Sequence, residues 1–68
     1  MADPCERLMQ FFQYLHLPEP LQATSMRCAM LATDMLASLP HNPELTVGLR
    51  KLLEAKNCFV RAQLYKDE

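Results

Sequence analysis

The sequence predicts an all-α chain: a short N-terminal helix followed by an antiparallel helical hairpin, in one domain over residues 1–68. Three observations carry that expectation. Leu, Met, Ala, Gln, Glu, Lys and Arg dominate between the prolines, and all of them are good helix formers. A single glycine, Gly48, and the lack of any alternating β-branched run argue against a sheet. Prolines 4, 18, 20, 40 and 43 fall where helices begin or end.

The first helix is expected to start with Asp3 as N-cap, Pro4 at its first position and Glu6 at its third, a capping-box arrangement, and to run to about Tyr14. Leu8, Met9, Phe11, Phe12 and Leu15 recur at helical spacing and give it one apolar side. His16-Leu17-Pro18-Glu19 reads as an elbow, because a residue before proline is pushed out of the helical region. The second helix is expected from Pro20 to about Ser38, with Leu21, Cys28, Leu31, Ala32, Met35 and Leu39 as its stripe. Asn42 then caps a third helix that opens on Pro43 and runs to about Tyr65. So short a connection returns the third helix antiparallel to the second.

That third helix carries two apolar stripes. Leu45, Leu49, Leu52, Ala55, Phe59 and Ala62 form one, and Leu53, Val60 and Leu64 form another. One hairpin partner covers only one of them. Either the first helix folds over the second stripe or another subunit does, and the size of the chain bears on that choice. A chain of 68 residues buries about 60% of its unfolded surface, and a core this small rarely supplies more than about 3 to 5 kcal/mol. Disulfides are a poor staple, since Cys5, Cys28 and Cys58 are odd in number and widely spaced. No cysteine pair has metal-ligand spacing, and neither His16 nor His41 completes a set, so no metal site and no cofactor are expected. Assembly into a homo-oligomer is the staple that remains.

Composition excludes several functions. No stretch approaches the roughly 20 apolar residues of a membrane span, and Met1-Ala2-Asp3-Pro4-Cys5-Glu6 lacks the order of a signal peptide. Unpaired cysteines fit a reducing cytoplasm. A formal net charge of −1 gives no reason to expect duplex DNA or an anionic membrane as partner. Charge is nonetheless uneven. From Glu44 to Lys66 five basic residues face two acidic ones, while acids collect at the N-terminus and at Asp67 and Glu68.

No nucleophile elbow, zinc-protease helix or phosphate-cradling glycine loop is present, so catalysis is not expected. Cys28 and Cys58 fall at or beside apolar helix positions, where cysteine acts as a small hydrophobe. Cys5 lies in a first helical turn, where the dipole favours a thiolate, although a structural role is the better reading. Tyr14 and His16 flank the elbow, and Arg27 and Arg61 interrupt the apolar second and third helices. Taken singly these are surface residues. Taken together, a flat ring and a planar guanidinium suit a nucleotide: one stacks on a base and the other forks onto phosphate.

The motifs Tyr14-x-His16-x-Pro18, Met26-Arg27 and the Leu49 to Ala62 stretch, with its Arg50-Lys51-Leu52-Leu53-Glu54-Ala55 and Arg61-Ala62, resemble the phage anti-CBASS/anti-Thoeris cyclic-nucleotide sponge family of helical-hairpin type. The resemblance covers roughly Phe12 to Leu64. It implies a protein that binds and sequesters cyclic oligonucleotide second messengers, cyclic dinucleotides foremost and cyclic trinucleotides in some members, without cleaving them. It further implies a ligand held between subunits of a homo-oligomer, typically a hexamer, in the bacterial host cytoplasm. Tyr14 matches the stacking tyrosine and Arg27 the phosphate-binding cation, with His16 and Thr24 beside them; Arg61 matches a second, trinucleotide site. Arginine stands at 27 where members often have lysine, and Ala55 where some have glycine.

The main alternative is a small helical protein–protein interaction adaptor whose second stripe, Leu53, Val60 and Leu64, docks a partner helix. A helix-turn-helix regulator fits less well, because the third helix is apolar on two sides and leaves no reading face.

Overall fold

The computed structural model describes residues 3–66, so Asp67 and Glu68 of the acidic tail lie outside the described residues. The chain is all-helical: α1 (Pro4–Leu8), a 3-10 turn (Met9–Phe12), α2 (Glu19–Ser38) and α3 (Pro43–Leu64). No strand occurs among the described residues. None of the helices is long and apolar enough to cross a membrane.

α1 starts as its sequence dictates. Asp3 is extended, and its Oδ1 accepts from the Glu6 amide at 2.8 Å. Its end differs from the expectation. Instead of running to Tyr14, the α-helix stops at Leu8 and tightens into the 3-10 turn, and Gln13 is already extended. So short a helix has little stability of its own, and burial decides its shape. In a 3-10 turn residues three apart share a face, which brings Met9 and Phe12 inward together. Phe12 is 2% exposed, whereas Phe11 and Leu15, expected on the same apolar side, face solvent.

The elbow is held by its own bonds. The Leu17 amide donates to the Tyr14 carbonyl at 3.0 Å, and Gln22 Nε2 donates to the carbonyls of Leu17 at 2.9 Å and Leu15 at 3.4 Å. α2 opens one residue before Pro20, with Glu19 in the first turn where a carboxylate suits the helix dipole. Its buried column is Leu21, Ser25, Cys28 and Ala32, spaced by four, three and four residues. Leu31, Met35 and Leu39, expected in that stripe, lie largely exposed. Ser25 takes a place in the column instead; it is fully buried and its hydroxyl has no partner among the described residues. Small side chains below Leu21 let the neighbouring elements come close.

Pro40 forces Leu39 into extended backbone and ends α2. Asn42 Oδ1 accepts from the Leu45 amide at 2.9 Å and opens α3 on Pro43, as expected. The last turn of α3 meets the first turns of α2, since Thr24 Oγ1 donates to Gln63 Oε1 at 2.6 Å and Gln63 Nε2 donates to the Pro20 carbonyl.

The core joins Cys5, Phe12, Cys28, Ala32, Leu45 and Leu49, with Leu52 and Leu53 packed at its edge. It therefore sits toward the α2–α3 turn. α1 packs on the start of α3 and accounts for part of the second stripe. The far half of α3 stays open, with Phe59 54% and Leu64 60% exposed. Cys28 is buried as expected, but Cys58 is exposed, because its position falls on the uncovered far half.

Candidate functional site

Of the five residues that the sequence singles out, Tyr14 and His16 lie in the elbow, Thr24 and Arg27 in the first half of α2, and Arg61 in the last turn of α3. The Thr24–Gln63 and Gln63–Pro20 bonds bring the start of α2 and the end of α3 together, so all five belong to the end of the molecule away from the α2–α3 turn. Tyr14 and Thr24 are half-buried; His16, Arg27 and Arg61 are exposed. No hydrogen bond joins any two of the five among the described residues.

Their polar atoms differ in availability. The Thr24 hydroxyl is engaged with Gln63. Arg61 Nη2 lies 3.2 Å from Cys58 Sγ, one turn back on its own helix. Arg27 meets no carboxylate among the described residues, which leaves its planar set of donors open to an anion from solvent. Gln63 is a member of this end that sequence reasoning missed. Its partners lie 39 and 43 residues away, and nothing local marks it.

Two concavities lie at the opposite end. A groove of about 610 Å³ between α2 and α3 is lined chiefly by Leu31, Met35, Leu39, Leu45, Leu49 and Leu52. Gly48 also borders it, and a Cβ there would meet nothing within 4 Å. A second cavity, of about 460 Å³, lies beside α1 and is bordered by Asp3, Cys5, His41, Asn42, Thr46 and Val47. None of the five predicted residues lines either one. In a single chain they lie on a surface outside both concavities, a shelf on which His16, Arg27 and Arg61 are exposed.

The smaller cavity has a polar rim that the sequence did not announce. His41 Nδ1 donates to Asp3 Oδ2 at 2.5 Å, and Nε2 donates to the Leu36 carbonyl at 2.8 Å. The hydrogen bond to Asp3, and secondarily the one to Leu36, raises the imidazole above its ordinary pKa of 6.5. The same bond to His41, aided by the Glu6 amide, lowers the Asp3 carboxyl below 3.8. By residue type Asp3, Glu6 and His41 could gather round a cation, since they offer one ligand-type atom each within 4.8 Å. Both imidazole nitrogens and Asp3 Oδ1 already have partners, however, so the cluster is a charged hydrogen-bonded link. Cys5 Sγ lies inside it, 3.2 Å from Thr46 Oγ1.

Comparison with protein-family models, with curated proteins and with solved structures finds no match for this chain.

Proposed function

We propose that this chain is a phage-encoded sponge: a non-catalytic protein whose α2–α3 hairpin binds and sequesters a cyclic oligonucleotide second messenger and so blocks CBASS-type immunity in the bacterial host cytoplasm. The observation that carries this reading is Arg27, exposed and free of any carboxylate among the described residues, at the same end as Tyr14 and His16. A guanidinium takes phosphoryl oxygens through parallel N–H donors, and a phenol ring gives a base a face to stack on. Arg61 supplies a second cation at that end, suited to a larger cyclic trinucleotide. No group in this scheme needs to break a bond. Holding the signal is sufficient to lower its free concentration below what activates an effector.

An open shelf needs a second wall, and a second copy of the chain supplies it. The accessible surface is 5163 Å², against about 4,400 Å² for a compact monomer of 7.8 kDa. That excess comes with an elongated shape and with apolar side chains left exposed, the kind of surface a second copy would cover. The Cα radius of gyration, 12.9 Å against about 11 Å for a globule of this length, points the same way. A homo-oligomer, with a hexamer as the resemblance implies, would close the shelf into a shared pocket.

The test is a thermal-shift panel of cyclic di- and trinucleotides and cyclic ADP-ribose variants. A true ligand at 100 times its Kd stabilises the native state by about 2.7 kcal/mol and raises Tm by several degrees. The ligand should be recovered intact, and Arg27→Glu should abolish the shift by setting like charge against phosphate. A panel without any shift, together with a stable monomer in light scattering, would overturn the proposal. A small helical protein–protein interaction adaptor is the second reading, favoured by the apolar groove beside Leu31, Met35 and Leu39. On that reading Met35→Glu ends function and Arg27→Glu does not.

A further inference from the structure

His41, in the loop that leads into α3, ties α1 to α2 through one ring. It belongs to the α2–α3 connection, its Nδ1 reaches the cap of α1 at Asp3, and its Nε2 reaches the Leu36 carbonyl in the last turns of α2. A carboxylate and a backbone carbonyl both accept, so both ring nitrogens must donate, and only the imidazolium has two N–H groups. A cation also suits the C-terminal carbonyls of α2.

Cys5 lies on α1 itself, 2% exposed, with its sulfur near Thr46 Oγ1 at 3.2 Å and the Asn42 carbonyl at 3.8 Å. Beyond it the chain changes from α to 3-10 geometry at Met9, and Phe12 is locked in the core three residues later. A change of helix type between a locked ring and a separately tied segment is where a hinge forms.

We propose that α1 is a hinged flap that carries Cys5 and buries its thiol against the start of α3, pivoting at Met9 with Phe12 as its fixed anchor, and that the charged imidazole of His41 holds it shut by joining Asp3 to the Leu36 carbonyl. The flap rests on bonds at the turn end and is independent of what the far end binds. The ionisable groups facing His41 are Asp3 and Glu6, both from α1 and both favouring its charge. α2 presents the Leu36 carbonyl, and the α3 residues bordering the cavity, Pro43, Thr46 and Val47, carry no charge.

The sign of the pH dependence follows. The His41 contribution is complete below its unfolded value of 6.5 and is lost as pH rises through its raised folded value. The Asp3 contribution is complete above 3.8 and is lost as pH falls through its lowered folded value. The flap is tightest between those limits and opens on the alkaline side.

The experiment uses the full chain with Cys58→Ser, which removes the exposed thiol. Alkylation of Cys5 and Cys28 is followed by peptide mass mapping at one pH below 6.5 in that parent, in Asp3→Asn and in His41→Gln. Asparagine keeps the helix cap while losing the charge, and glutamine keeps a donor without ever being a cation. Cys5 should react about tenfold faster in both variants, while Cys28 keeps its parental rate, because the opening is local. Equal Cys5 rates in all three proteins would overturn the flap. Should a variant unprotect Cys28 as well, the parent alone decides. Hydrogen exchange of the α1 amides, normalised to intrinsic rates, should lose protection as pH rises past the His41 transition, and pH-independent protection would overturn the proposal.

Discussion

The two ends of this molecule are built differently. At the turn end, two asparagine and aspartate caps, a charged histidine link and the interlocked side chains of Cys5, Leu45 and Leu49 leave little apolar surface of α1 exposed. At the far end, the contacts between elements are amide ties from Gln22 and Gln63, and Phe59, Leu64 and Leu15 face outward. If the proposed function holds, folding and binding are separated along the long axis of a 43 Å molecule. Most of the core lies toward the turn end, which leaves Arg27 at the other end exposed and without a carboxylate partner among the described residues.

Substitutions can break or sharpen that contrast. The largest effect is expected at Leu49, 1% exposed at the centre of the core. Leu49→Ala should cost about 2 to 5 kcal/mol in chemical denaturation, while Phe59→Ala, in the open half of α3, should cost far less in the isolated chain. Comparable losses at both positions would mean that Phe59 is buried by a partner. Asn42→Ala removes the α3 cap and should cost about 1 kcal/mol, read as a Tm lower by several degrees. Ser25→Ala tests the orphan hydroxyl, and stability should be unchanged or gain up to about 1 kcal/mol, since no bond is lost with the oxygen. A clear loss there would reveal a hidden partner. The smallest change is Gly48→Ala. Open space around the missing Cβ predicts a gain of about 0.5 to 1 kcal/mol from helix propensity alone. Loss of stability that grows with protein concentration would instead place a second copy in the groove.

Much of the local fold was legible in the residues. Asp3-Pro4 and Asn42-Pro43 announce helix starts because a cap needs only neighbours three positions on. The elbow and the end of α2 were equally readable, because proline acts on the residue before it. What failed was whatever depended on distant partners. The expected α1 helix to Tyr14 gave way to a 3-10 turn because Phe12 had a core to reach. Of six apolar positions expected in the stripe of α2, Leu31, Met35 and Leu39 stay exposed along the α2–α3 groove, because helical periodicity names a face without saying how wide the neighbour is. The candidate site followed the same division. Tyr14, His16, Thr24, Arg27 and Arg61 were identified by residue type, whereas Gln63, which draws the ends of α2 and α3 together, has no local signature.

By itself, then, the sequence determined the helical class, the caps of α1 and α3 and the proline breaks around α2, since these are contests between neighbours settled within a turn or two of chain. The tertiary structure alone decided which apolar residues became core and which stayed open. It also turned His41 from an isolated loop residue into the link between α1 and α2, because a bond across 38 positions exists only after the chain has folded.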